Sequence, residues 1–158
     1  MATDLEKAQS SRKLLELVLG TFAEGVHDVM GDSVVSLGTM QGAVLLKWVE
    51  DEFGLDTSEG SDTQAMLQNL ANIFVDELGA AEEVKLTGNE EEQELHVKGC
   101  RLLPLARKMA KNGIQPFLCP YLNITVAALA QRFGAKMIVE KRHADPSARI
   151  CAHKIARF

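Results

Sequence analysis

The 158 residues carry 17 lysines and arginines against 22 aspartates and glutamates, a net charge of −5 at a pI near 5.4, with 46% hydrophobic side chains. This composition suits one globular domain over residues 1–158, with a sizeable core, and excludes a disordered chain. The acidic balance argues against nucleic acid as a partner, which needs a basic face, and no run of about 20 apolar residues suggests a membrane span.

The first stretch, MATDLEKAQSSRK, is polar and has no apolar targeting core. With three cysteines, an odd number, it points to a reducing, cytoplasmic setting without disulfides. Residues 4–30 then read as a helix, with Leu14, Leu15, Leu17, Val18, Phe22, Val26 and Val29 near helical spacing and Gly31 ending the run. A second helix is expected over 33–53, with Val34, Leu37, Val44, Leu45, Trp48 and Val49 as its apolar face. Gly38 and Gly42 stand four apart on one side of it. Their plain reading is close helix packing; the sharper one is a floor for a ligand or a dimer partner.

GLDTSEGSD is a loop, and a third helix is expected over 63–79, closed by Gly79. The period then changes to two along Val84 and Leu86, and again along Leu95 and Val97, with Gly88 and Asn89 at the tip of a hairpin. Residues 100–113 read as a short helix with Pro104 in its first turn, and 121–133 as another, ended by Gly134. AKMIVEKR and RICAHKIARF are two last strands joined by HADPSA. The order predicts an α+β domain: an antiparallel sheet of two hairpins, helices on one face and an N-terminal helical arm.

The chemistry gathers late in the chain. Cys100 follows a strand at the mouth of a helix, Cys119 precedes a proline at the start of the next, and Cys151 lies inside the last strand. Each thiol is either a small core residue or a ligand. Antiparallel pairing in the last hairpin is expected to bring His143 beside Cys151, with Glu140 ending the strand and Cys119 entering from the helix before it. Those S, N, S and O donors would suit a tetrahedral zinc. His153 shares a strand face with Cys151 and reads as a plain strand residue, a spare ligand or a partner of a ligand.

The segment GCRLLPLARKMAKNGIQPFLCPYLNITVAALAQRFGAKMIVEKRHADPSARICAHKI resembles the C-terminal half of the vinyl-4-reductase-like domain, also called the hydrocarbon-binding domain, and a related output domain of methanogen regulators. MGDSVVSLGTMQGAVLLKWVEDEFG resembles that family's Gly-rich second helix. On that resemblance Glu140, Cys151 and Cys119 match metal-site positions, His143 stands where the family usually has cysteine, and Cys100 is extra. If Cys100 joins Cys119 and Cys151, an iron–sulfur cluster is the less favoured metal reading.

The resemblance implies a sensor or carrier for a small hydrophobic or aromatic molecule, acting as a homodimer or through a regulatory protein partner, with a structural metal. Phe22, Trp48, Phe74, Phe117 and Tyr121 are the candidate pocket, or else simply core. Two other classes compete. A cysteine-dependent enzyme would need His143 or His153 beside Cys119 and a lowered thiol pKa, and for a reductase-like one no Gly-rich dinucleotide loop is visible. An assembly scaffold resembling vesicle-tethering subunits would need a filled core and an apolar outer helix.

Overall fold

The computed structural model describes residues 3–89, 91–134, 136–145 and 150–157, with backbone alone for 140–145. Helix α1 runs Asp4–Met30, and a 3-10 turn, Gly31–Ser33, leads into α2, Val34–Phe53. Thr3 caps α1 in a capping box with Glu6. Helix α3, Thr63–Asn72, is capped by the Asp62 carboxylate, which accepts from the Ala65 N–H at 2.9 Å. Strands β1, Glu83–Gly88, and β2, Glu92–Lys98, form the first hairpin. Helices α4, Leu103–Lys111, and α5, Pro120–Phe133, follow, and then strands β3, Met137–Asp145, and β4, Ile150–Arg157.

The sheet order is β1-β2-β4-β3, and every pairing is antiparallel. The architecture is therefore the α+β fold expected from the sequence. Val97 stands opposite Cys151 and Leu95 opposite His153, so the second hairpin docks its last strand on the first hairpin. Alternate residues of β2 and β4 turn inward: Gln93, Leu95 and Val97 on one, Cys151, His153 and Ile155 on the other. Helix α5 lies between this sheet and α2, which is why Tyr121 to Val126 are buried without a break.

The buried row of α2 is Val34, Gly38, Gly42, Leu46 and Val49. It is rotated from the expected face, and Val44 and Trp48 are exposed. Two glycines set this phase. A Cβ on Gly42 would lie 2.1 Å from the Asn123 carbonyl oxygen, and one on Gly38 would lie 2.5 Å from that of Phe117. Close packing of α2 on α5, the plain reading of the glycine pair, is what the structure has.

Helix α3 stops short of Gly79 as an α-helix. A π turn over Ile73–Glu77 adds a residue, and both Ile73 and Phe74 become buried. The Phe74 ring meets Tyr121 edge-on at 5.1 Å.

Helix α1 buries little beyond Gly20 and Ala23, and its expected apolar face, including Leu14, Leu15, Val18 and Phe22, is exposed. By length and composition alone, the helical stretch Asp4–Phe53 is apolar enough to cross a membrane, which the expectation from the sequence did not include. One face of its α2 half is nevertheless bound to α5.

Candidate functional site

A cavity of about 250 Å³ opens between α4, the segment after it, and the inner face of β4. Leu102, Leu105, Ala106, Met109 and Ala110 form one wall, and Pro116 and Leu118 the other. Its floor holds the three thiols of the chain, Cys100, Cys119 and Cys151, together with the His153 imidazole.

Local structure places each of the four. Gly99 ends β2 in a left-handed turn with φ 65°, and a Cβ there would lie 2.3 Å from the Glu82 carboxyl carbon. That turn carries Cys100 off the strand to the start of α4, where the Leu103 N–H donates to its carbonyl at 3.2 Å. Cys119 is the N-cap residue of α5, ahead of Pro120. Cys151 and His153 share the inner face of β4, each 5% exposed.

Two pairs result. The Cys100 and Cys151 thiols are hydrogen-bonded to one another. Cys100 is the acceptor. The Cys151 hydrogen bond and then the Leu102 and Leu103 amides and the Tyr121 hydroxyl draw its pKa down from 9.0 to about 7, against the opposing effect of burial. Cys151 is the donor; that hydrogen bond, burial and the neighbouring thiols push its pKa up. Burial, and then the charge on Cys100, also raise the Tyr121 phenol, which donates to the Ala80 carbonyl. In the second pair, the Cys119 sulfur lies 3.8 Å from His153 Nε2. An imidazole beside Cys119 is one of the two features that a cysteine-dependent enzyme needs, the other being a lowered thiol pKa.

Of the five residues expected at a metal, Cys100, Cys119 and Cys151 come together in this cavity. Glu140 and His143 lie on β3, and their side chains fall outside the described residues. The backbone register sets Ala144, not His143, opposite Cys151, and His143 opposite Ala152. The imidazole at the cavity is that of His153, and the two-residue period linking it to Cys151 was visible in the sequence. Among the described residues, no group of three or more His, Cys, Asp or Glu side chains is arranged to hold a metal ion. The four floor donors therefore do not fit the expected zinc or iron–sulfur cluster as they stand.

The residues expected to line a ligand pocket do not line this cavity. Phe22 and Trp48 are exposed, at 60% and 54%. The space at Gly42 is filled by α5, and that at Gly38 by the Phe117 carbonyl and the Asn123 side chain. Phe74 and Tyr121 are packed in the main core, and Phe117 in a smaller cluster with Ala23, Val34, Leu105, Met109 and Ile114. The cavity walls were missed because they belong to a short helix whose alanines carry little weight in an apolar pattern. The strongly amphipathic spacing of Leu102, Leu105 and Met109 was the available signal.

No curated protein matches the chain. A family model does match, over residues 15–158, nearly the whole chain; it is not that of the vinyl-4-reductase-like domain. The chain belongs to the family described as "Putative rubredoxin C-terminal domain".

Proposed function

We propose that this chain is a binding module for a small hydrophobic or aromatic molecule, acting as a sensor or regulatory domain of the vinyl-4-reductase-like type. The observation that carries the reading is the cavity beneath α4: apolar walls over a floor of three thiols and an imidazole. Few polar groups inside an apolar cleft are what orient and select a ligand. Scaling from the ~150 Å³ that hold benzene, this volume takes roughly ten non-hydrogen atoms, a substituted single ring. The free thiols suit a cytoplasmic setting.

A homodimer is part of the proposal. The exposed large hydrophobic side chains among the described residues all lie on α1 and α2, where Met40, Val44 and Trp48 form a stripe at four-residue spacing. A second copy would cover this stripe with its own, as two-fold interfaces do. A regulatory protein partner would then receive the signal.

The family's name points to iron or another metal. A four-thiolate site needs one cysteine more than the three in this chain. A structural zinc would require the Cys100–Cys151 and Cys119–His153 pairs to converge on one ion. Elemental analysis of the purified protein decides it: zinc equimolar with chain supports the zinc reading, and a trace amount removes it.

The binding reading is tested by native mass spectrometry and thermal unfolding with 2-phenyl-2-propanol and other single-ring aromatics. Binding that is abolished by Ala106→Trp, which fills the cavity, is the expected result. No bound mass and no shift across the series would sink it. The Cys119–His153 contact favours a second reading, a cysteine-dependent enzyme. Its signature is ester hydrolysis that is lost in both Cys119→Ser and His153→Gln.

A further inference from the structure

We propose that Cys100 and Cys151 are a reactive dithiol that reduces organic hydroperoxides entering the apolar cavity and closes to a disulfide. The substrate class rests on the binding-module reading; the thiol chemistry rests on the two neighbouring thiols at the floor of one cavity.

Reversible two-electron oxidation of a protein thiol needs an ionised sulfur, a second thiol within reach, and a path for the oxidant. All three meet here. Cys100 sits at the start of α4 with the Leu102 and Leu103 amides and the Tyr121 hydroxyl around its sulfur. The start of α4 has no side-chain cap, and its positive dipole end favours a thiolate there. Cys151 lines the same cavity floor and interacts with Cys100, so the resolving thiol is its neighbour before any reaction begins. Both thiols are nearly inaccessible from outside, at 9% and 5% exposure, yet both face the cavity. A reagent therefore reaches them past Leu105, Met109 and Leu118. An apolar group on the peroxide gains from those walls, and hydrogen peroxide does not.

The Cys100 thiolate attacks the outer oxygen of ROOH. The S–O bond forms, the O–O bond breaks, and RO⁻ leaves and takes a proton from solvent to give ROH. Cys100 is then a sulfenic acid, Cys–S–OH. The Cys151 sulfur attacks it, the S–S bond forms, and hydroxide leaves with the Cys151 proton as water. Two electrons pass from the two sulfurs to the peroxide, and the products are disulfide, ROH and H₂O.

The experiment exposes the reduced full chain to cumene hydroperoxide or hydrogen peroxide, followed by denaturation, alkylation, intact mass and peptide mapping. The expected product has lost two hydrogens, carries one alkylated thiol at Cys119, and yields a Cys100–Cys151 cross-linked peptide. Cumene hydroperoxide should react at least about tenfold faster, the ratio expected from burying part of a phenyl group. Cys151→Ser should stop at one added oxygen on Cys100, trapped by dimedone. Three alkylated thiols after excess hydroperoxide, or a bridge through Cys119, overturns the dithiol. Equal rates for the two peroxides overturn the substrate class. Binding of 2-phenyl-2-propanol, the inert product alcohol, keeps the two readings apart. If the alcohol binds while the thiols stay reduced, the dithiol falls and the module stands. If the alcohol does not bind while both peroxides close the bridge equally fast, the module falls with the substrate class.

Discussion

Gly42 rests against the Asn123 carbonyl so closely that α2 and α5 meet backbone to backbone there; a Cβ would lie 2.1 Å from that oxygen. The clashing atom belongs to the backbone of α5 within the unbroken buried run Tyr121–Val126, so it has no room to give. Gly42→Ala is expected to destabilise the fold by about 3 kcal/mol, the upper range for overpacking. Gly25 in α1 is the control: nothing lies within 4 Å of its added Cβ. Gly25→Ala should stabilise by about 0.5–1 kcal/mol through helix propensity. Urea unfolding of the two variants measures both.

The thiol pair makes reactivity and stability depend on pH in a defined window. Alkylation of Cys100 by iodoacetamide should rise with a midpoint about pH 7, against 9.0 for an ordinary thiol. Cys151→Ala removes the donor with the largest effect and should move that midpoint upward. For stability, Cys100 is an acid whose pKa is lowered on folding. Its contribution is fully present above 9.0 and is lost as pH falls through about 7. Cys151 is raised on folding, so above 9.0 the unfolded chain releases a proton that the folded chain keeps, and stability falls. Thermal stability in low salt should climb from pH 7 to 9 and then turn over. In Cys100→Ala the climb should vanish.

Tyr121 links the core to this pair. Its hydroxyl donates to the Ala80 carbonyl, which also accepts the Arg101 N–H at 3.0 Å, and it lies beside the Cys100 sulfur. Tyr121→Phe should cost about 1 kcal/mol, one net hydrogen bond, because the Ala80 carbonyl keeps its second donor. It should also raise the alkylation midpoint of Cys100. A stability loss without that shift would detach Tyr121 from the thiol.

The exposed stripe of Met40, Val44 and Trp48 makes a prediction about assembly. Light scattering during size exclusion should give twice the chain mass of 17.3 kDa. Val44→Glu with Trp48→Glu should return it to a single chain with an unchanged circular dichroism spectrum. A wild-type chain that runs as a monomer at high concentration would remove the dimer.

The first hairpin was legible in the sequence because the two-residue period is unbroken in Val84, Leu86, Leu95 and Val97, and the second because HADPSA joins two short apolar runs. The helices were legible in extent but not in orientation. Val44 and Trp48 dominate any hydrophobic count of α2, yet the row that packs is built around two glycines, which such a count ignores. The sequence places Cys119 with Cys151, and Cys100 with them only as the condition of the iron–sulfur reading; all three line the cavity. His143 was the favoured imidazole and His153 only a spare one, since a register is set by the whole ladder and Cys151 pairs with Ala144. Nor does spacing reveal that thiols close in space associate in pairs, because that depends on the Gly99 turn and on where α4 begins.

Strand β4 is the last described strand to be synthesised, yet it occupies an interior place in the sheet, between β2 and β3. Until it leaves the ribosome, the nascent chain holds β1 and β2 with one unfilled edge, and the wall carrying Cys151 and His153 does not exist. Completion of the thiol chamber therefore waits on contacts between distant parts of the chain, the kind that form slowly.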